Sequence, residues 1–351
     1  MSVTVLEAEE QVGFHSSGRS ATMLHYALGN PLVRSLTLAS RAFFENPPQG
    51  FSDVPLGHQT AILVHAREDE LAELDALEAA IAPFASLDRI GEEAIRSLCP
   101  LLRTGEGGSV AALLDVQAVK IDSDALLQGH VRTLRREGGT LVTGARVARI
   151  TRNDGLWTVT TEPGDQYSAP VLVNAAGSWA DEVAKLAGVG PIGLCPKRRT
   201  IITFDAPSGM DVSGLPFTKT VGDELYFGTE SGRLFASPMD EVPSDPCDAQ
   251  PDDYEVALAA WRFEERTTAK VERIHSKWAG LRTFTPDGKP AVGFDPDAQG
   301  FFWLAGQGGF GLQTSPAMAA SAASLVEGGP WPFPEVSAGE LSPGRFVRHP
   351  A

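Results

Sequence analysis

The run Val3 to Leu6 reads as a short buried strand ending on a carboxylate, Glu7, and this constrains the fold more than any other feature of the chain. So short an apolar strand cannot stand alone; it needs neighbours in a sheet. A carboxylate at the end of a parallel strand is the group that accepts ribose hydroxyls in a dinucleotide-binding fold, and it normally follows a glycine-rich turn by roughly 20 residues. Here that turn would stand before Met1. The expectation is a Rossmann-like α/β domain, N-terminally truncated, without the strand, turn and helix that cradle a pyrophosphate. Such a chain is expected to bind its nucleotide poorly.

The rest of the sequence alternates in the manner of an α/β protein. Leu32, Leu36 and Ala39 predict a helix ending before Asn46-Pro47-Pro48, and Leu71, Leu74, Leu77 and Ile81 predict another. Ser123 or Asp124 is expected to cap a third helix, with Leu127, Val131 and Leu134 as its stripe and Gly138-Gly139 as its stop. Val171 to Val173 reads as a central parallel strand leading into Asn174-Ala175-Ala176-Gly177, after which Ser178 begins a helix with Trp179, Val183 and Leu186 inward. Runs at 198–204, 224–227 and 234–236 suit an antiparallel sheet. Asp240 to Asp253 reads as a solvated connection, and Tyr254, Leu258 and Trp261 as the packed face of the helix that follows. Phe301 to Leu304 is the last strand, with Pro316 expected at the first position of the final helix. Residues 1–55, 121–195 and 278–345 are assigned to the nucleotide-binding domain, and 56–120 and 196–277 to a mixed, antiparallel-sheet substrate domain.

Charge and cysteine content narrow the function classes. There are 29 Lys plus Arg against 45 Asp plus Glu, a net charge of −16 that would repel nucleic-acid phosphates. Cys99, Cys195 and Cys247 form neither a metal-spaced cluster nor an even set for a disulfide framework. The seven histidines, His349 included, offer no H-x-x-x-H spacing, so no metal is expected. No apolar run reaches transmembrane length, and the acidic start is unlike a signal peptide. A cytoplasmic location is expected, with peripheral contact to the inner membrane as a route to an electron acceptor there.

Five separated segments occur in a characteristic order: Val5-Leu6-Glu7, Gly18-Arg19-Ser20-Ala21, Ile121-Asp122, Val173 to Trp179, and Gly306-Gln307-Gly308-Gly309-Phe310-Gly311. With Lys197-Arg198-Arg199 and Trp278-Ala279-Gly280-Leu281-Arg282 between them, the chain resembles the D-amino-acid oxidase and glycine oxidase superfamily, and within it the bacterial D-arginine dehydrogenases. The resemblance implies non-covalent FAD. It places Glu7 on the adenosine ribose, Val147 beside adenine, and Arg19, Ser20 and Ala21 along the pyrophosphate and flavin. Ala176, Gly177, Gly308, Gly311, Leu312, Gln313 and Thr314 complete the implied cofactor contacts. It further implies oxidation of an amino acid's Cα–N bond by hydride transfer to flavin N5. Arg282 becomes the substrate carboxylate clamp, Arg199 and Tyr226 its supports, and the Gly309 carbonyl the acceptor for the amine.

Departures from the arginine-specific members bear on substrate. Thr60-Ala61-Ile62-Leu63 carries no acid to pair a guanidinium, and the entrance positions hold Met23, His25 and Leu28, with Gln313 beside them. An unpaired buried guanidinium would cost roughly 3–5 kcal/mol. The expectation is therefore a hydrophobic or small D-amino acid, with a quinone-type acceptor for the electrons. His25 reads either as a pocket wall or as a general base. A secondary amine such as sarcosine or proline would use the same clamp, and an FAD-free, non-enzymatic protein is the alternative from another class.

Overall fold

The computed structural model describes residues 2–346, so His349 lies outside the described residues. A mixed sheet of ten strands forms the larger part. Its order runs Gln307–Gly308, Ile274–Phe284, Cys195–Phe204, Arg233–Ser237, Tyr226–Glu230, Phe217–Thr220, Ile62–Ala66, Ala111–Asp115, Asp88–Gly91, with Val242–Pro243 paired beside Cys195–Phe204. Pairing is antiparallel except between Phe217–Thr220 and Ile62–Ala66. Both faces are buried, which strand alternation makes visible. Phe227, Leu234, Ala236 and Ile202 point into one core with Phe263 of the helix Asp253–Arg266, while Tyr226, Phe235 and Ile201 point into another with Leu74 and Ile81 of the helix Leu71–Ile81. The strand Ile274–Phe284 belongs wholly to this sheet, so the expected domain boundary at 278 cuts through it.

The nucleotide-binding side is made of smaller sheets. Thr4–Leu6 pairs parallel with Thr140–Val142, and Leu172–Asn174 pairs parallel with Phe301–Ala305. Leu6, Val147, Leu172 and Ala176 pack on one apolar cluster centred on Trp157, Phe301 and Trp303. The expected central strand at 171–173 has one partner among the described residues, and Val173 is 42% exposed. Helix Pro31–Glu45, capped by the Asn30 side chain on the Val33 amide, packs against helix Gly311–Glu327.

Several local expectations are corrected. The cap of helix Ser123–Arg136 is Asp122, which accepts the Ala125 amide, and the buried stripe runs through Ala125, Leu126, Gly129 and Val131. In helix Ala180–Leu186 the inward residues are Ala180 and Ala184, and Leu186 is exposed. Tyr254 and Trp261 are exposed, because helix Asp253–Arg266 turns Val256, Ala259 and Phe263 to the sheet. The stretch 240–253 is less solvated than expected: Asp240 and Ala249 are buried. The last helix starts at Gly311, not at Pro316. Pro316 sits in its second turn, where the Ser315 hydroxyl donates to the Leu312 carbonyl that a proline nitrogen cannot reach (2.9 Å).

Candidate active site

The sheet register assembles one cationic wall. Arg199 lies opposite Gly280 in the neighbouring strand, and Arg282 lies two residues further along on the same face. On the other side, Lys219 lies opposite Tyr226. These residues border a solvent-connected cavity of about 500 Å³, closed by Ser20 to Met23, His25, Leu28, Phe217, Met239, Gly309, Leu312 and Gln313. Among the described residues no carboxylate lines it.

The loop from Ser16 to Thr22 is stitched onto the strand that carries Arg282. Gly280 has no side chain, and a Cβ there would meet Arg19 Cβ at 3.2 Å. Over that gap the Ser16 hydroxyl donates to the Leu281 carbonyl (2.8 Å) and Trp278 Nε1 to the Arg19 carbonyl (3.3 Å). The Arg19 guanidinium donates to the carbonyls of Phe14, Ala249 and Ala279 and pairs with Asp248 at 2.6 Å. Its charge is taken up within the protein, and Ser20 and Ala21, not Arg19, line the cavity. A smaller hollow of about 190 Å³ adjoins it, bordered by Ser16, Arg19, Ser178, Trp179 and Leu281.

Arg282 is the opposite case. It has no hydrogen bond or ion pair within contact distance among the described residues, and Gly309 makes room for it, since a Cβ there would stand 2.8 Å from Nη1. Burial, reinforced by the Arg199 charge, pulls it down to about 10, so it stays charged at neutral pH. Arg199 donates through Nε to the Asp240 carbonyl (2.8 Å) and reaches Glu241, but its Nη1 is buried without a partner. Tyr226 Oη and His25 Nδ1 are likewise buried and unpartnered. Burial, and behind it the Lys219 charge, holds His25 at about 3, hence neutral.

Sequence reading placed most of this wall: Arg282, Arg199, Tyr226, Gly309, Met23, His25, Leu28 and Gln313 all border the cavity. Ala61 does not. It lies just before the strand Ile62–Ala66, where its carbonyl takes the Phe217 amide (2.9 Å). Gln313 borders the cavity with its side chain already bonded, to Thr37 Oγ1 at 2.9 Å and from the His25 amide at 3.4 Å. Lys219, Phe217, Met239 and Thr22 were missed. The signal for Lys219 was a single lysine two residues after Phe217 in a four-residue strand buried throughout.

The remaining positions fit FAD. Glu7 ends its strand half-buried, accepting only the Glu9 amide (2.9 Å), with oxygen capacity left for hydroxyl donors. Val147 and Ala176 share the apolar cluster of the neighbouring Leu6, and Gly177 adopts a φ of +56° at the start of a 3-10 turn. Gly308 has a φ of +55°, and a Cβ there would collide with the Phe284 ring at 2.7 Å. The helix beginning at Gly311 leaves its first amides without helical acceptors, and Leu312 and Gln313 bring that end to the cavity. The Thr314 hydroxyl is committed to the Phe310 carbonyl (2.9 Å). Among the described residues no group of His, Cys, Asp and Glu suits a metal, and no helix is long and apolar enough to cross a membrane.

Comparison with known proteins agrees with this geometry. A family model described as FAD dependent oxidoreductase (DAO) matches residues 1–325. The oxidoreductase YurR of Bacillus subtilis is 25% identical over 295 residues, spanning 80% of this chain and 74% of its own length. The crystal structure of glycine oxidase from Geobacillus kaustophilus is similar with a TM-score of 0.83 at 20% identity, covering 98% of this chain and 92% of that one. L-proline dehydrogenase from P. horikoshii gives a TM-score of 0.81 at 19% identity, over 98% and 97% of the two chains. At these identities the structural likeness establishes the fold.

Proposed function

Because the chain belongs to the DAO family of FAD-dependent oxidoreductases, we propose that it oxidises the Cα–N bond of a small D-amino acid and passes the electrons to a quinone-type acceptor. FAD is its cofactor and, when bound, supplies the flavin N5 that accepts a hydride. The observation that carries the reading is the meeting, on one cavity, of the Arg282 guanidinium, which has no hydrogen bond or ion pair among the described residues, with the buried and unpartnered Arg199 Nη1 and Tyr226 Oη. Buried polar atoms are nearly always satisfied, so such a set is built for an acceptor that comes and goes. An α-carboxylate matches it in charge and in fork geometry.

The same residues set the state of the amine. Hydride leaves Cα only with the nitrogen lone pair free, so the amine must be neutral. The charges of Arg199, Lys219 and Arg282 around the cavity disfavour an ammonium there, and the Gly309 carbonyl offers an acceptor for one N–H. His25, at about 3, is too weak a base to take that proton near neutral pH. Its role is that of a pocket wall beside Met23 and Leu28. A D-arginine side chain would bring a further cation toward Lys219 with no carboxylate on the cavity wall to receive it.

The test is anaerobic mixing of the flavin-loaded enzyme with paired D- and L-amino acids, with sarcosine and L-proline as secondary-amine controls. Bleaching by D-amino acids, and not by their L-partners or the secondary amines, is expected. Faster reduction by sarcosine or proline would overturn the primary-amine assignment.

A further inference from the structure

The cavity has a second cationic seat that a monocarboxylate leaves unused. Lys219 and Arg199 lie three strand positions apart in the sheet, roughly 14 Å between backbones at ordinary strand spacing. Tyr226 and the end of the strand Arg233–Ser237 stand between them. Both line the one cavity. The Lys219 ammonium is 2% exposed and sits by the entrance loop, where it donates to the Ala27 carbonyl (3.3 Å) and pairs with Asp223. That uses two of its three donors. Asp223 itself is 59% exposed, so it holds the ammonium from the solvent side.

Around this ammonium the cavity offers Met23, Leu28 and Phe217, neutral His25, and no acid. Burial, followed by the charges of Arg199 and Arg282, depresses Lys219 below the ordinary lysine range against the opposing pull of Asp223. A lysine buried beside two arginines is unfavourable by itself, and an anion placed between them would relieve all three.

Building on the reading above of the cavity as the substrate site, we propose that the substrate is a dicarboxylic amino acid with a primary amine, its α-carboxylate on Arg282 and Arg199 and its second carboxylate on Lys219. A five-carbon chain such as D-glutamate separates its two carboxylates along the line from the arginine pair toward the entrance loop. The apolar wall of Met23, Leu28 and Phe217 accompanies the methylenes between them.

The decisive comparison is acid against amide of equal size. In the flavin-loaded enzyme D-glutamate is expected to exceed D-glutamine in kcat/KM by at least about 30-fold, roughly 2 kcal/mol. Glutarate, which has no amine to oxidise, should bind at least about 30-fold more tightly than glutaramate by calorimetry. Lys219→Met should abolish both preferences. Asp223→Asn, which removes only the solvent-side partner, should tighten glutarate. A purely structural Lys219 would give both variants lower melting temperatures with the acid-to-amide ratios intact, and that result overturns the proposal. If amino acids are oxidised with no preference for the acid, the second seat is wrong and the amine-oxidising reading stands. If glutarate binds through Lys219 but neither D-glutamate nor D-glutamine reduces the flavin, the seat stands and the reaction assignment falls.

Discussion

Two arginines that sequence reading assigned to ligands, Arg19 and Arg282, end in opposite conditions. Arg19 spends its guanidinium on three carbonyls and Asp248, tying the loop 16–22 to the strand Ile274–Phe284. Arg282 is on that same strand and has no hydrogen bond or ion pair among the described residues. One arginine builds the wall and the other is left pointing through it. The lesson is that an arginine's role is read from its unfilled donors and not from its place in a motif. Arg199, with two nitrogens committed and the third orphaned, shows the two uses combined in a single side chain.

The sharpest way to break this contrast is Arg282→Met in the flavin-loaded protein. Loss of a charge-assisted carboxylate pair should lower kcat/KM by a factor of about 10² or more, roughly 3–5 kcal/mol, with an unchanged flavin spectrum. Near-normal turnover with unchanged KM would place Arg282 outside the substrate site. Arg19→Met should do the reverse in kind. Its side chain is 16% exposed, and removing several charged hydrogen bonds should cost on the order of 3 kcal/mol of stability. The expected readout is a melting temperature lower by several degrees, together with weaker FAD retention. An unaltered melting temperature would mean the stitched loop contributes little.

The third test carries the contrast to uncharged groups. His25 and His65 are each held to about 3 by burial, whereas an unfolded histidine titrates near 6.5. The folded state refuses a proton that the unfolded chain takes, so their stabilising contribution is complete above about pH 6.5 and drains as the pH falls toward 3. Between pH 6.5 and 5 each should account for about 2 kcal/mol of lost stability. His25→Leu removes a nitrogen that has no partner, and should flatten that decline without harm near neutral pH. An unchanged slope would show that His25 is protonated in the folded state. The smallest expected effect is in specificity: D-leucine should exceed D-arginine by at least about tenfold in kcat/KM, near 1.4 kcal/mol. A preference for D-arginine would require an acid to turn into the cavity.

What was legible of the site came from the family resemblance, which grouped Arg199, Tyr226 and Arg282. In the sheet Arg199 and Arg282 lie on neighbouring strands, and the strand Arg233–Ser237 separates them from Tyr226. Lys219 escaped because its strand, Phe217–Thr220, is four residues of mixed polarity whose burial comes from Ile62–Ala66 and Tyr226–Glu230 on its two sides. Ala61 was misplaced by a matter of direction: the segment before a strand start faces the backbone it pairs with, not the cavity. The helix Asp253–Arg266 carries two apolar stripes, Tyr254-Leu258-Trp261 and Val256-Ala259-Phe263, and periodicity alone cannot choose between them. The smaller, better-packing stripe went inward.

Near the start and near the end of the chain, two buried helices are joined by side chains. Gln313 donates to Thr37 Oγ1 at 2.9 Å, and Ser40 Oγ accepts the Ala317 amide at 3.1 Å, across 276 and 277 residues. Contacts that distant in sequence are the last that a growing polypeptide can make. During synthesis Thr37 must wait for a partner 276 residues further along, with Leu32 and Leu36 of its helix still uncovered. Through that interval the seam stays unclosed, a period in which chaperones have an apolar helix to bind and proteases an unfinished substrate to cut.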